Sequence, residues 1–466
     1  MLMVPLPEFV PTAGELVEFQ VPEEVLAAAA LAPEHPAPAG ELQETHLRTR
    51  AEGARAGAPP ETWLGLAFDL PGRLDTAALT SALTTWLRRH STLLTWFAPA
   101  GDGFRRHAVD PETVTFTPVS LSDHASPEEI RAHLSARFAR DTDPTVWPPL
   151  VVSAVLRETG STVHLAIDHA HTDGLSILRS FGELRAYYTA AVTGTPARLP
   201  ETGSYVDFCH LDRERSDRLD ADSPAVARWR TFLDCAPYPA AFDLGIKPGT
   251  TYPAAAVTVD LLDAAESTAF GRLCTAHGVD FAAGVQAAFA LCGRTLGGPE
   301  TYRALTLVHT RDERRWLHAH GWFVNTVPVE FPATGGTFAE VLTAAKAGLL
   351  RAQEANGVTL PGVTRCDPSL APLLQEATQS LPLASFLDFR SLPGVRDWSD
   401  HNVTALIAMG RTRVPRFWVN RLPDRTYVRA AHPDTPEARD AVLRFAALVR
   451  DLMTNALRTT ATPDHL

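Results

Sequence analysis

Val163-His164-Leu165-Ala166-Ile167-Asp168-His169-Ala170-His171-Thr172-Asp173-Gly174 is the stretch that decides how this chain is read. Val163, Leu165 and Ile167 alternate as the residues of a half-buried strand do. From Leu175 onward Leu178, Phe181 and Leu184 recur at every third position and give a helix an apolar face. Residues 168–174 are therefore expected on a tight strand-to-helix turn, which presents side chains at the edge of a sheet. Within it His169, Asp173 and Gly174 spell H-x-x-x-D-G. An imidazole titrates near neutrality and can take a proton from an attacking amine or hydroxyl. Asp173 can cap the helix through its free N–H groups or pair with an arginine, fixing the turn that aims the ring. Gly174 is read as a position needing φ > 0 or a close backbone approach.

Asp168, His169, His171 and Asp173 also crowd together as metal ligands would, and on a strand His169 and His171 would share a face. No other His, Cys or Glu motif of recognisable spacing supplies the remaining ligands. No metal is expected, and a metal-dependent hydrolase is the weaker reading. Cys209, Cys235, Cys274, Cys292 and Cys366 are odd in number and lack C-x-x-C spacing, which argues against a disulfide framework and a zinc site.

Outward from the turn, helical periods run over Asp75–His90, Asp263–His277, Asp280–Thr295 and Pro436–Arg458, with a short opening helix at Pro22–Ala32. Strand-like runs are Thr62–Leu70, Pro149–Leu156, Thr162–Ile167, Ala304–Val308 and Trp322–Phe331. The Pro/Gly-rich stretch Thr193–Gly203 is the expected linker, and Thr334–Gly336 a lesser break. Leu74-Asp75 and Leu262-Asp263 each open a helix, so two similar α/β lobes are expected, residues 1–195 and 196–466, with substrate in their cleft.

At 466 residues two domains are the natural expectation. Apolar residues make up 45% and charged residues 21%, ordinary for a soluble globular chain. A net charge of -12 spread along the chain disfavours nucleic acid as a partner. No apolar run is long enough to span a bilayer, and Met1–Phe9 carries no secretory pattern, so a cytoplasmic protein without a membrane span is expected.

With these residues in hand, the chain resembles the condensation-domain superfamily, which shares the fold of chloramphenicol acetyltransferase. Four further segments carry the resemblance in the expected order: Gln43-Glu44-Thr45-His46-Leu47, Arg89-His90-Ser91-Thr92-Leu93-Leu94-Thr95-Trp96-Phe97, Gly321-Trp322-Phe323-Val324-Asn325-Thr326-Val327-Pro328, and Phe386-Leu387-Asp388-Phe389-Arg390. Trp63-Leu64-Gly65, Leu70-Pro71-Gly72-Arg73-Leu74 and Leu387-Asp388 to Pro393-Gly394 are similar to the mycobacterial polyketide-associated acyltransferases, and free-standing condensation enzymes are close relatives. Two departures stand out. The common double histidine is here Asp168-His169, and the usual arginine of L-R-T is Leu94. In relatives that arginine often pairs with the motif aspartate, which leaves Arg89 and Arg390 as candidate partners of Asp173.

The resemblance implies mixed α/β sheets in two chloramphenicol acetyltransferase-like lobes, arranged as a V with the active site at their junction. It implies an acyltransferase that makes an ester or amide from an acyl thioester and a hydroxyl or amine, in natural-product or lipid biosynthesis. His169 would be catalytic, with Asp168, Asp173, Gly174 and Asn325 shaping the site. His171, Trp322, His309, Arg311, Asp388 and Arg390 would be candidates for lining a substrate channel. No bound cofactor is implied. The donor would be a phosphopantetheine thioester on coenzyme A or on an acyl or peptidyl carrier protein, and the enzyme a monomer acting on a small-molecule acceptor. The competing reading is a non-catalytic recruitment module of the same fold, though such modules typically lose the histidine retained here.

Overall fold

Asp75 and Asp263 both cap the helix that follows a long strand. Asp75 accepts from the Ala77 and Ala78 N–H groups at the start of Thr76–Arg89. Asp263 accepts from Glu266 N–H at the start of Ala264–Ala276, and the Glu266 side chain returns the bond to Asp263 N–H. The computed structural model describes residues 2–57, 61–334 and 337–460. Of the lesser break expected at Thr334–Gly336, Gly335 and Gly336 lie outside the described residues.

The fold is α/β, and it divides into two units, each built on one seven-stranded sheet. The first unit holds residues 1–217, 311–323 and 392–408. Its strands follow the order Leu2–Pro5, Thr404–Ile407, Trp63–Pro71, Gly160–Asp168, Leu150–Leu156, Gly14–Gln20, Thr117–Ala125. Trp63–Pro71 and Gly160–Asp168 pair antiparallel, with Trp63 opposite Asp168 and Leu66 opposite Leu165. One face is covered by Ile130, Leu134 and Phe138 of the helix Pro127–Asp141, which pack with Trp63, Val151, Val155 and Ala166. On the other, Phe68 meets Phe181 of the helix Gly174–Thr193 at 5.3 Å. Covered on both faces, the strand Gly160–Asp168 is buried from Ser161 onward, as a central strand must be.

The second unit holds residues 218–310, 324–391 and 409–466. Its strand order is Val324–Pro332, Thr301–His309, Leu383–Asp388, Arg416–Arg421, Arg425–Pro433, Tyr252–Asp263, Arg411–Thr412. The helices Phe281–Thr295, Phe338–Glu354 and Pro436–Thr460 supply its core. Phe445 lies 5.2 Å from Phe289 and 5.1 Å from Phe417, an aromatic cluster joining helix to sheet.

The boundary differs from the expected 195/196. The first unit continues through the helix Tyr205–Ser216, because Tyr205, Phe208 and Cys209 pack with Trp316, Ala319 and Phe323. It also takes in two excursions of the later chain, 311–323 and 392–408, the second contributing a strand to its sheet. Thr193–Gly203 is irregular after Thr193, as expected, but it lies within the first unit rather than between the two.

Candidate active site

The turn after Gly160–Asp168 is fastened before any ligand is considered. Asp168 is fully buried, and its carboxylate accepts from His46 Nε2 at 2.8 Å, Ala170 N–H at 2.8 Å and Thr62 Oγ1 at 2.9 Å. Burial alone would push its pKa up, and the His46 charge and these hydrogen bonds more than reverse that, leaving it below the usual carboxylate value. Thr62 Oγ1 in turn accepts from Arg50 at 3.0 Å, and the Thr62 carbonyl accepts from His169 N–H at 2.8 Å. Gln43 Nε2 donates to the Ala170 carbonyl at 2.6 Å. Gln43, His46 and Arg50 all come from the helix Glu41–Arg55 at spacings of three and four, so one polar stripe of that helix grips residues 168–170.

Asp173 closes the turn at its other end. It is the N-cap of Gly174–Thr193 and accepts from Ser176 N–H at 2.6 Å. Arg311 donates to both carboxylate oxygens, at 3.0 and 3.2 Å, and Phe323 N–H adds a bond of 3.0 Å. Burial pushes the Asp173 carboxyl up, but the Arg311 guanidinium and these donors hold it at about 2. The partner of Asp173 is thus Arg311, not Arg89 or Arg390. Arg89 is engaged with the Pro200 carbonyl and Glu183. Arg390 forms a fork with Asp388 at 2.7 Å, two residues away in its own chain segment.

Between these two anchors sits His169, half-buried. Its Nδ1 is sealed from solvent with no hydrogen-bonding partner among the described residues, which leaves Nε2 as the nitrogen able to meet a reactant. Burial first, and then the positive charge of His46 when it carries a proton, lower the ring's pKa from its ordinary value and so favour the neutral form. The Trp322 indole rests against it with ring centroids 4.1 Å apart, and the same indole meets His46 edge-on at 5.6 Å. Trp322 is carried there by the segment 311–323. Gly321 carbonyl and N–H bond the Ser176 hydroxyl at 3.0 and 3.2 Å, and Tyr205 Oη donates to the Trp322 carbonyl at 3.0 Å.

The remaining expected residues divide by position. His171 is wholly buried, donates from Nδ1 to the Thr92 carbonyl at 2.9 Å and is pushed down to about 4 by burial. It is a strut of the turn rather than a lining residue, tying it to the Arg89–Phe97 segment. Gly174 has no positive φ, and a Cβ there would meet no atom within 4 Å, so neither steric reason offered for this glycine applies. Asn325, in the second unit, donates to the Val358 carbonyl at 2.9 Å and accepts from Thr326 N–H at 2.8 Å, bracing its strand on the turn at 355–358. His309 ends the neighbouring strand opposite Val324 and is exposed. Asp388 and Arg390 are an exposed pair with Arg421 at 3.6 Å. Among the described residues no three His, Cys, Asp or Glu side chains come together as a metal site.

Sequence reasoning located His169, Asp173 and the strand-turn-helix around them. It quoted His46 within a signature without giving it a role, and it missed Arg50, Thr62 and Ser176. The period-3/4 polar stripe Gln43, His46, Arg50 was the available signal for His46 and Arg50.

Comparison with known proteins bears on the chain as a whole. The condensation-domain family model matches residues 63–370. Acyltransferase PapA3 of Mycobacterium tuberculosis is 27% identical over 462 residues, covering 96% of this chain and 95% of that protein. The 2'-acyl-2-O-sulfo-trehalose (hydroxy)phthioceranyltransferase PapA1 of the same species is 28% identical over 455 residues, covering 95% and 86% respectively. The solved structure of PapA2 acyl transferase superposes with a TM-score of 0.86 at 25% identity, over 98% of this chain and 100% of that one. Among the described residues no helix is long and apolar enough to cross a membrane.

Proposed function

This chain is an acyltransferase belonging to the condensation-domain family, and from that premise we propose its reaction: transfer of an acyl group from a thioester to a sugar hydroxyl, giving an ester, with His169 as the proton acceptor. The hydroxyl is favoured over an amine because relatives along the whole length carry trehalose acceptors in their names. The donor is presented on a phosphopantetheine arm, of coenzyme A or of a carrier protein, inside the cell.

The chemistry runs through one ring. Nε2 of neutral His169 takes the hydroxyl proton as the oxygen attacks the thioester carbonyl. The tetrahedral intermediate collapses by breaking the C–S bond, and the imidazolium returns the proton to the departing sulfur. Ester and free thiol result, and the ring ends neutral as it began. Asp173 is no alternative base: with a value near 2 and four donors on its oxygens, it has neither the basicity nor a free lone pair directed at a reactant. Its part is to hold the turn.

The single observation that carries this reading is an imidazole whose Nδ1 is sealed and whose burial disfavours the charged form, on a turn anchored at both ends. It also weighs against the recruitment-module reading, since docking alone requires no basic ring so held. The test is transfer from palmitoyl-CoA to trehalose, followed by mass spectrometry, in wild type and His169→Ala. Loss of about 10²- to 10⁴-fold in turnover with an unchanged melting profile is expected. Undiminished ester formation in the variant would end the assignment.

A further inference from the structure

We propose that His46 is a positioning residue for His169: through its 2.8 Å contact with Asp168 and its edge contact on Trp322, it fixes where the ring sits and which charges surround it. The inference deepens the reading of His169 as the proton acceptor and rests on it.

The geometry has three parts. The first is the pair itself, 2.8 Å between His46 Nε2 and Asp168 Oδ1, with the carboxylate completely buried and the imidazole nearly so. Asp168 is the residue immediately before His169, so any movement of that carboxylate is passed directly to the main chain that carries the ring. The second is the shared indole: Trp322 touches His169 at 4.1 Å and His46 at 5.6 Å, so the two imidazoles are braced by one rigid plane. The third is the helix stripe. Gln43 and Arg50 flank His46 on Glu41–Arg55 and bind the Ala170 carbonyl and Thr62, so His46 lies in the middle of a three-point grip rather than at a lone contact.

Electrostatics gives the pair a consequence that mere bracing would lack. The charged groups facing His169 are His46 and Arg50 from the helix, Asp168 and Asp173 from its own turn, and Arg311 from the segment 311–323. Arg311 is neutralised by Asp173 at 3.0 Å, and Arg50 lies 3.7 Å from Asp168. After burial, a proton on His46 is the largest influence opposing one on His169, and the Asp168 and Asp173 charges act the other way. The two halves of the ion pair therefore push the His169 ring in opposite directions. Removing either one loosens the same anchor, yet the electrical effects have opposite signs.

That contrast is the experiment. The full-length protein is labelled with [13Cε1]histidine and titrated by NMR in wild type, His46→Gln and Asp168→Asn, with His169→Ala identifying the signal. Gln keeps a donor toward Asp168 while removing the cation, and Asn keeps the shape while removing the anion. The titration midpoint of His169 is expected to rise by about one pH unit in His46→Gln and to fall by a similar amount in Asp168→Asn. A midpoint unmoved in both, or moved in one direction by both, overturns the proposal, as would a variant whose ring titrates like wild type while turnover falls. Because the readout needs no substrate, it separates from the reaction: opposite shifts with no acyl transfer from palmitoyl-CoA to trehalose would leave the positioning role standing and remove the proposed reaction.

Discussion

Replacing Arg311 with methionine tests whether the turn depends on a buried charge pair brought from far along the chain. In the native protein the Asp173 and Arg311 side chains are 0% and 2% exposed, and two N–H···O bonds of 3.0 and 3.2 Å join them. Arg311 also donates to Ser176 Oγ at 2.8 Å and lies 4.4 Å over the Phe323 ring. Truncation leaves a sealed carboxylate with only the Ser176 and Phe323 N–H groups. Breaking one half of a buried pair costs about 3–5 kcal/mol, and the two surviving donors place this case near the lower end. At about 2–4 °C per kcal/mol for a domain of 150–250 residues, the melting temperature should fall by about 6–12 °C. The sign of the pH dependence adds a second check. Native Asp173, held at about 2 against an unfolded value near 3.8, contributes stability that is present above the unfolded value and lost as pH falls through the folded one. Without Arg311 its folded value rises, so the calorimetric gap between variant and wild type should narrow as pH falls toward about 2, while histidine effects common to both cancel. Adding Asp173→Asn to Arg311→Met should recover part of the loss, with about 1–3 kcal/mol of coupling. A melting temperature within a degree or two of wild type, or a double variant that simply adds the single losses, would refute the reasoning.

Three further outcomes follow from the same contacts. A Cβ on Gly321 would come 2.2 Å from Tyr205 Cγ, so Gly321→Ala should cost about 1–3 kcal/mol by overpacking and slow turnover by displacing Trp322, measured by melting and by ester formation. Buried His171 and His164, pushed down to about 4 and about 3, bind protons more readily when unfolded. Stability should therefore decline as pH drops below about 6.5, by about 1.4 kcal/mol per histidine per pH unit, and a flat calorimetric profile from pH 7 to 5 would contradict this. Asp388→Ala, which breaks an exposed pair, should change stability by less than about 1 kcal/mol, and a larger drop would show that the pair braces more than its own loop.

Features written within one element were legible in the sequence. The Asp caps at 75, 263 and 280 and the apolar periods behind them placed three helices to within a residue or two. The strand-like runs 62–70, 149–156 and 162–167 fell on the strands at 63–71, 150–156 and 160–168, each bound within two residues. Strands with little contrast were not seen: Thr404–Ile407 is four residues long, and Tyr252–Asp263 is mostly half-buried along its length. The domain edge was misplaced for a related reason. The proline-rich stretch before Ser204 does look like a linker, but domain membership is set by what the next helix packs against, and Phe208 and Cys209 meet residues more than a hundred positions away.

At the site the division is sharper. His169 and Asp173 declare themselves because their spacing is local, and the cap of Asp173 on Ser176 follows from the turn alone. Their partners do not: Arg311 is 138 residues from Asp173, and His46 is 122 from Asp168. No periodicity ties such pairs, because a charge buried in one half of a fold is neutralised by whichever segment topology brings over it. Here that segment is 311–323, which delivers Arg311 to Asp173 at one end and Trp322 to His169 at the other. A single excursion of the chain thus both neutralises the anchor and contacts His169. Substitutions along it should therefore couple stability to turnover, whereas changes at the exposed Asp388–Arg390 pair should leave both nearly untouched.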